Sequence, residues 1–441
     1  MPLAAQAVAP APPMGWNSWD AYGLTINERQ FKANASVLAG FRRFGWKYAV
    51  VDEGWYMANP EGRDVAERKY QWNANGLLIP DAGRFPSASD GAGFRALAAW
   101  THAQGLKFGI HIVRGIPRQV AAANLPIAGS QFHARDAADT GSTCPWDDGN
   151  YGVADNAAGQ AYYDSMMRLY ASWGVDFLKA DCIASHPYRP SEIRQIAAAI
   201  RKTGRPMVLS LSPGPAELSH AAELAQYAQM WRISDDHWDG WTFEHRSDSG
   251  FPSGIREAFD LLAGWSPYAG PGHWPDADML PEGWLGPRPG WGRPRQSRET
   301  ADEQRTEFAL WAIARSPLIL GGNLTRLDAL TRSLMSNRSL LFVNQNATGS
   351  GPVDATALGP EFGNIRLWRA VVDRPGQYRY AEYFGFFNLD DKPVMLRASW
   401  KQLGLEGKHA GQSCWDDSPA RPGKDIAVKL PPHGGAVYQV R

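Results

Sequence analysis

The stretch Gly174-Val-Asp-Phe-Leu-Lys-Ala-Asp-Cys182 is an apolar run that ends abruptly in charge. Read as a buried strand, its period of two puts Val175, Phe177, Lys179 and Asp181 on one face. Asp176, Leu178 and Ala180 take the other. A lysine and an aspartate side by side on an inner face need a use or a partner. One reading is a structural ion pair. The other makes Asp181 a nucleophile, kept ionised by the ammonium beside it. A second carboxylate widens the chemistry. The run Met230-Trp-Arg-Ile-Ser-Asp-Asp236 puts Arg232, Ser234 and Asp236 on one face, and the adjacent charge of Asp235 favours a protonated Asp236. One ionised and one protonated carboxyl flanking a glycosidic bond are enough for glycoside hydrolysis. The alternative for Asp235 and Asp236 is a solvated loop after the strand.

Other apolar runs end in the same way. One leaves Asp52 on the parity of Tyr48 and Val50, followed at once by Glu53. Another places Lys107, Gly109 and His111 on one side, with Phe108, Ile110 and Ile112 on the other. A third sets Ser210 and Ser212 against Leu209 and Leu211. Polar inward and apolar outward describes a polar pocket surrounded by strand-to-helix packing. Asp52, Glu53, Lys179, Asp181, Arg232 and Asp236 would suit a neutral polyhydroxyl ligand, since carboxylates accept from sugar hydroxyls and indole faces cover the sugar ring. The chain has 19 tryptophans to supply such faces. Asp276 and Asp278, which share parity, read as carboxylates tying down a loop. There is no glycine-rich phosphate cradle and no metal-ligand spacing, so no cofactor and no metal are expected. Neither Ser210 nor Ser212 sits in a Gly-x-Ser-x-Gly elbow, which argues against acyl transfer.

The elements that must hold these residues alternate. Strand runs fall at 14–19, 48–55, 107–113, 175–182, 207–212, 230–236, 273–280 and 317–323. Helical periodicity fills most of the intervals, at 27–44, 91–104, 156–173, 190–202, 216–229, 254–265 and 300–315. Eight strands alternating with helices predict an α/β chain with a (β/α)8 TIM barrel, over residues 1–342. Beyond it, runs at 365–372, 377–388, 394–399 and 425–438 alternate apolar and polar residues. Turns such as Asp373-Arg-Pro-Gly and Asp390-Asp-Lys-Pro separate them, and this predicts an antiparallel β-sandwich over residues 343–441. Cys414 and Trp415 read as its core.

The 441 residues carry 45 Lys plus Arg against 45 Asp plus Glu. That balance excludes the basic surface a nucleic-acid or anionic-membrane partner needs. No apolar stretch approaches the roughly 18 residues of a membrane span. Ala-Gln-Ala at residues 5–7 resembles a small-residue cleavage site, so secretion or a periplasmic location is expected, with a signal peptide absent or already removed.

Several motifs, in order along the chain, resemble glycoside hydrolase family 27, the α-galactosidases and α-N-acetylgalactosaminidases. They are Pro12-Pro-Met-Gly-Trp-Asn-Ser-Trp19, Val51-Asp-Glu-Gly-Trp55, Gly105-Leu-Lys-Phe-Gly-Ile110, Trp173-Gly-Val-Asp-Phe-Leu-Lys-Ala-Asp181 and Ala269-Gly-Pro-Gly-His-Trp-Pro-Asp-Ala-Asp-Met-Leu280. The resemblance implies an exo-acting, retaining enzyme with Asp181 as nucleophile and Asp236 as acid/base. Trp19, Asp52, Lys179 and Arg232 fall on its sugar-binding positions. It also implies a disulfide between Cys144 and Cys182, although Cys182 follows Asp181 directly where the family has one residue between. The expected substrate is an oligo- or polysaccharide ending in a galactose-like sugar, with α-galactosidase activity as the leading expectation.

Three departures concern the sugar. The family usually has two adjacent aspartates after strand two, holding the 4- and 6-hydroxyls of galactose; here the second is Glu53. One more methylene advances that carboxylate by about 1.5 Å, into the space of the hydroxymethyl group. A β-L-arabinopyranose lacks that group, so a β-L-arabinopyranosidase is the alternative. His111 stands where an aromatic residue often lines the pocket. Ser212 stands where a polar group often meets the 2-substituent. α-N-Acetylgalactosaminidase activity and a non-catalytic sugar-binding barrel are the lesser readings. The loop 114–126 reads as a specificity or interface element.

Overall fold

The computed structural model describes residues 8–61, 67–247, 250–286, 292–373, 380–416 and 422–441. The Ala-Gln-Ala site, most of the turn after Asp373 and the start of the run at 377 lie outside the described residues. Eight parallel strands appear where the apolar runs predict them: β1 Met14–Asn17, β2 Tyr48–Val51, β3 Lys107–Val113, β4 Phe177–Asp181, β5 Val208–Leu211, β6 Met230–Arg232, β7 Trp274–Asp276 and β8 Leu318–Leu320. From β1 to β7 each strand pairs with its neighbours in sequence, and β8 pairs with β1. The circle closes beyond β7, where Leu280 N donates to Ile319 O at 2.8 Å and Gly321 N donates to Leu280 O at 3.0 Å. The sheet is therefore a barrel.

The parities hold around it. Tyr48, Val50, Phe177, Val208, Met230 and Trp274 fill the lower lumen with Ala9, whose carbonyl accepts from Trp274 Nε1 at 2.8 Å. Gly109 makes room for this layer, since a Cβ there would lie 2.8 Å from Val50 and 3.0 Å from Phe177. Phe108, Ile110, Ile112, Leu178, Leu209 and Leu211 pack outward against the helices. Those helices are α1 Glu28–Ala39, α2 Arg95–Ala103, α3 Ala157–Trp173, α4 Pro190–Thr203, α5 Ala221–Tyr227, α6 Ile255–Trp265 and α7 Ala301–Ala314. Asn27 caps α1 and Thr300 caps α7, each paired with a Gln or Glu three residues on in a capping box. Val175 departs from its expected place: it precedes β4 and packs in the outer core.

The strands are shorter than their apolar runs because side chains take over the backbone hydrogen bonds at their ends. Glu53 N donates to the Asp52 carboxylate at 2.8 Å, Cys182 N to Asp181 at 2.6 Å and Asp236 N to Asp235 at 2.7 Å. The β2 and β4 ladders stop where Asp52 and Asp181 accept from the next N–H at the cavity, and Asp52, Glu53, Asp235 and Asp236 sit beyond their strands.

Helix α8, Arg338–Asn346, spans the expected boundary at 342/343, and the architecture changes after it. A five-stranded antiparallel sheet follows in the spatial order Gly349–Val353, Ile365–Val372, Ala381–Asn388, Gly435–Val440, Gly411–Ser413. Val394–Ser399 pairs with Asp425–Leu430 in a second sheet. Leu367, Phe384, Phe386, Leu396 and Val428 form the core between the two sheets. The opposite face of the larger sheet, through Trp368, Tyr383 and Phe387, joins the barrel core. Helix α7 lies at that junction, which is why Phe308 to Ala314 are all buried and no polar stripe marks the helix.

Candidate active site

At the carboxyl ends of the strands lies a cavity of about 350 Å³. Trp19, Asp52, Glu53, Lys179, Asp181, Ser212 and Asp236 line it. Parity places Asp52, Lys179, Asp181, Ser212 and Asp236 inward, Glu53 follows Asp52, and Trp19 is expected from the family resemblance alone. The remaining two expected site residues, His111 and Arg232, are buried behind the lining and hold its carboxylates. Neither is placed to be a wall of the cavity.

The partner of Lys179 is Asp52. Lys179 Nζ donates to Asp52 Oδ2 at 3.0 Å, and Asn17 Nδ2 donates to the same oxygen at 2.7 Å. A Lys179–Asp181 strut is thus replaced by a Lys179–Asp52 pair that joins β4 to the end of β2. Burial tends to raise Asp52, but the charges of Lys179 and His111 and two hydrogen bonds bring it down to about 2. The hydrogen-bonding side chain at Asp181 is His111, whose Nε2 lies 3.2 Å from Asp181 Oδ2. Burial opposes ionisation of Asp181 too, yet the His111 hydrogen bond and charge, Lys179 and the Cys182 N–H together hold it below the ordinary carboxylate value. His111 is raised in return: burial disfavours its charge, and Asp52 and Asp181 outweigh that. So the ionised state expected of Asp181 holds, with His111 a larger cause than Lys179.

Asp236 is the opposite case. Burial comes first, Arg232 opposes it, and the like charges of Asp278 and Asp235 push the carboxyl up to about 6. Arg232 Nη2 stands 3.2 Å from Asp236 Oδ1 but 2.8 Å from Asp278 Oδ2. Asp278 also accepts from His237 N at 2.8 Å. Asp278 is therefore the counter-ion of Arg232 as well as a loop tie. Both Asp235 and Asp236 line the cavity, so they are not a solvated loop. Two carboxyls facing one cavity, one held ionised and one held protonated near pH 6, are the pair that acid-assisted displacement at a glycosidic carbon requires.

Glu53 sits among groups that no sequence pattern marked. Arg68, from the loop after β2, donates to Asp147 at 2.6 Å and lies 3.7 Å from Glu53 Oε1. Arg68 thus favours Asp147, and Glu53 is left with the weaker contact. Burial, then the charge of Asp147, raise Glu53 to about 8 against the pull of His111 and Arg68. Trp146 and His186 form part of the cavity's lining, with ring centroids 5.5 Å apart. Met279 and Phe251 line it as well. Trp146, His186 and Phe251 come from long loops whose sequences carry no periodicity, so only their aromatic residue types could have hinted at them, whereas Met279 falls near the end of the 273–280 run. Asp20, buried beneath the site, faces Asp278 and Lys179 electrostatically.

The disulfide between Cys144 and Cys182 is present, with Cα atoms 5.9 Å apart, and Cys414 is a buried free thiol. The bridge ties the loop after β3 to the end of β4, beside Asp181. Arg114, which opens the 114–126 loop, donates to Glu192 and to Cys182 O, each at 2.7 Å. That makes the start of the loop a structural brace.

Comparison with known proteins agrees with this geometry. The family profile described as Alpha galactosidase A matches residues 143–346. A GH27 β-L-arabinopyranosidase from Geobacillus stearothermophilus superposes with a TM-score of 0.89 at 41% identity, over 98% of this chain and 96% of that one. A variant of that enzyme in complex with arabinose gives the same TM-score at 40% identity, covering 98% and 97%. Alpha-galactosidase A of Cellvibrio japonicus is 28% identical over 99% of this chain and 93% of the relative. Human alpha-N-acetylgalactosaminidase is 28% identical over 90% and 82%.

Proposed function

Because the chain belongs to glycoside hydrolase family 27 and is an O-glycoside hydrolase, we propose that it is an exo-acting, retaining β-L-arabinopyranosidase. Glu53 is the observation that carries this reading. In the galactose-like arrangement its longer side chain occupies the space of the C6 hydroxymethyl, which the pentopyranose lacks. With a carboxyl raised to about 8, Glu53 is a neutral acid at working pH, able to donate as well as accept. The greater identity to the Geobacillus β-L-arabinopyranosidase than to the curated α-galactosidases supports the same choice. α-Galactosidase activity is the second reading, supported by the 28% identity to the Cellvibrio alpha-galactosidase A over 99% of this chain.

In the proposed mechanism Asp181 attacks the anomeric carbon while Asp236 protonates the departing oxygen. Asp236 then takes a proton from water, which releases the sugar from Asp181. Lys179 and Asp52 hold the ring. His111 orients Asp181, Arg232 restrains Asp236, and Trp19 covers the ring's apolar face.

Hydrolysis of nitrophenyl β-L-arabinopyranoside should exceed that of nitrophenyl α-D-galactopyranoside in kcat/KM. A faster galactoside would overturn the sugar assignment and leave the hydrolase assignment standing. Proton NMR of the first product should show the anomer of the substrate; an inverted anomer would rule out Asp181 as nucleophile. The pH profile follows from the two carboxyls. Asp181 must be ionised, and its lowered value puts the acid limb below the ordinary carboxylate range. Asp236 must be protonated, so kcat/KM should fall as pH rises through about 6. A profile flat across that region would exclude Asp236 as the acid.

A further inference from the structure

The loop that carries Asp236 rests on a buried cluster of acceptors outside the cavity lining. His237 follows Asp236 directly, and its Nε2 lies 2.5 Å from Oε1 of Glu307 in α7. Glu299, just ahead of α7, joins them: one ligand atom from each of His237, Glu299 and Glu307 lies within 4.8 Å of the other two. All three are buried, Glu307 at 0% exposure and Glu299 at 5%. Glu282, from the loop after β7, is 2% exposed and interacts electrostatically with both Glu307 and Glu299. Among the described residues, both carboxylate oxygens of Glu282, both of Glu299 and Oε2 of Glu307 have no N–H or hydroxyl donor, although the Glu299 and Glu307 carboxyls face each other closely enough to share a proton. The arginines on adjacent segments are engaged elsewhere. Arg295 and Arg298 bind Asp239, and Arg232 binds Asp278 and Asp236.

Acceptors taken out of water need donors: shared protons, a buried water or a cation. A proton shared between Glu299 and Glu307 would serve one contact. It would leave both oxygens of Glu282 unmet among the described residues, since His237 Nε2 already serves Glu307 Oε1. We propose that His237, Glu299 and Glu307, with Glu282 alongside, hold a divalent transition cation of the zinc or manganese class. One imidazole nitrogen with two or three carboxylate oxygens is a mixed donor set; calcium and magnesium prefer oxygen alone. The cation bonds no substrate. By fixing His237 it positions the backbone of Asp236. His237 lies far along the chain from Glu299 and Glu307, so no ligand spacing could have announced the site.

Elemental analysis of the full chain tests this directly, since it needs no sugar and is independent of the arabinopyranoside assignment. After incubation with zinc or manganese chloride and gel filtration, about one metal ion per chain should remain. Chelation should lower Tm by at least about 3 °C, and adding either metal back should restore it. Glu299→Gln and Glu282→Gln should each weaken the metal-dependent rise in Tm. The proposal is overturned if the parent chain retains no metal and its Tm is unchanged by either salt. A Glu299→Gln variant at least as stable as the parent, with no metal response in either protein, would assign the cluster to shared protons. Stoichiometric binding of calcium or magnesium alone would overturn the zinc or manganese class. Should Glu299→Gln fail to fold, the parent's metal content and Glu282→Gln decide.

Discussion

Replacing Asp181 with asparagine is expected to lower kcat/KM on the better nitrophenyl glycoside by at least about 1,000-fold, with Tm little changed. The factor corresponds to about 4 kcal/mol of transition-state stabilisation. The amide keeps the shape of the carboxylate: its oxygen can accept from the Cys182 N–H, and its NH2 can donate to His111 Nε2 in the neutral imidazole, the two contacts that anchor Asp181. It lacks the negative charge that attacks carbon and that the oxocarbenium-like transition state needs beside it. Lys179 has its own partner in Asp52, so the substitution leaves no unpaired ammonium behind. That separates the catalytic role from a structural one. A strut would show itself as a large fall in Tm with residual turnover following the folded fraction. Unimpaired turnover by Asp181→Asn would remove the mechanism altogether.

Shortening Glu53 to aspartate should move the ratio of arabinopyranoside to galactoside kcat/KM toward the galactoside by about 10- to 200-fold, the range for one methylene in a close-fitting pocket. The carboxylate withdraws by about one bond length, roughly 1.5 Å, and the space opened is that of a hydroxymethyl. The shorter side chain also stands farther from Arg68, which remains held by Asp147 at 2.6 Å. The gain should appear mainly as galactoside activity, with a smaller loss on the pentoside. An unchanged ratio, both rates falling together, would show that Glu53 supports the site without selecting the sugar.

The barrel could be read directly because its signals are local. Side-chain parity has a period set by the backbone, so Lys179, Asp181, His111 and Arg232 were assigned to the lumen before any partner was known. The strand ends are harder to place. Asp52 and Asp181 stop their own ladders by accepting from the next backbone N–H, and an apolar pattern carries no trace of that substitution. Helix α7 shows the reverse case. Its uniformly apolar second half makes sense only once the larger sheet of the C-terminal domain covers the face that would otherwise meet water.

Through its parities and ordered motifs, the sequence by itself determined the barrel, most of the inward residues and the two carboxyls that face one another across it. Only the tertiary structure decided who pairs with whom. Lys179 meets Asp52 across 127 positions of chain, His111 takes Asp181, Arg232 is shared with Asp278, and Arg68 turns to Asp147 beside Glu53. Those choices depend on strand register around a closed sheet and on the path of long loops. Both are fixed by contacts distant in sequence, and pKa values follow the contacts.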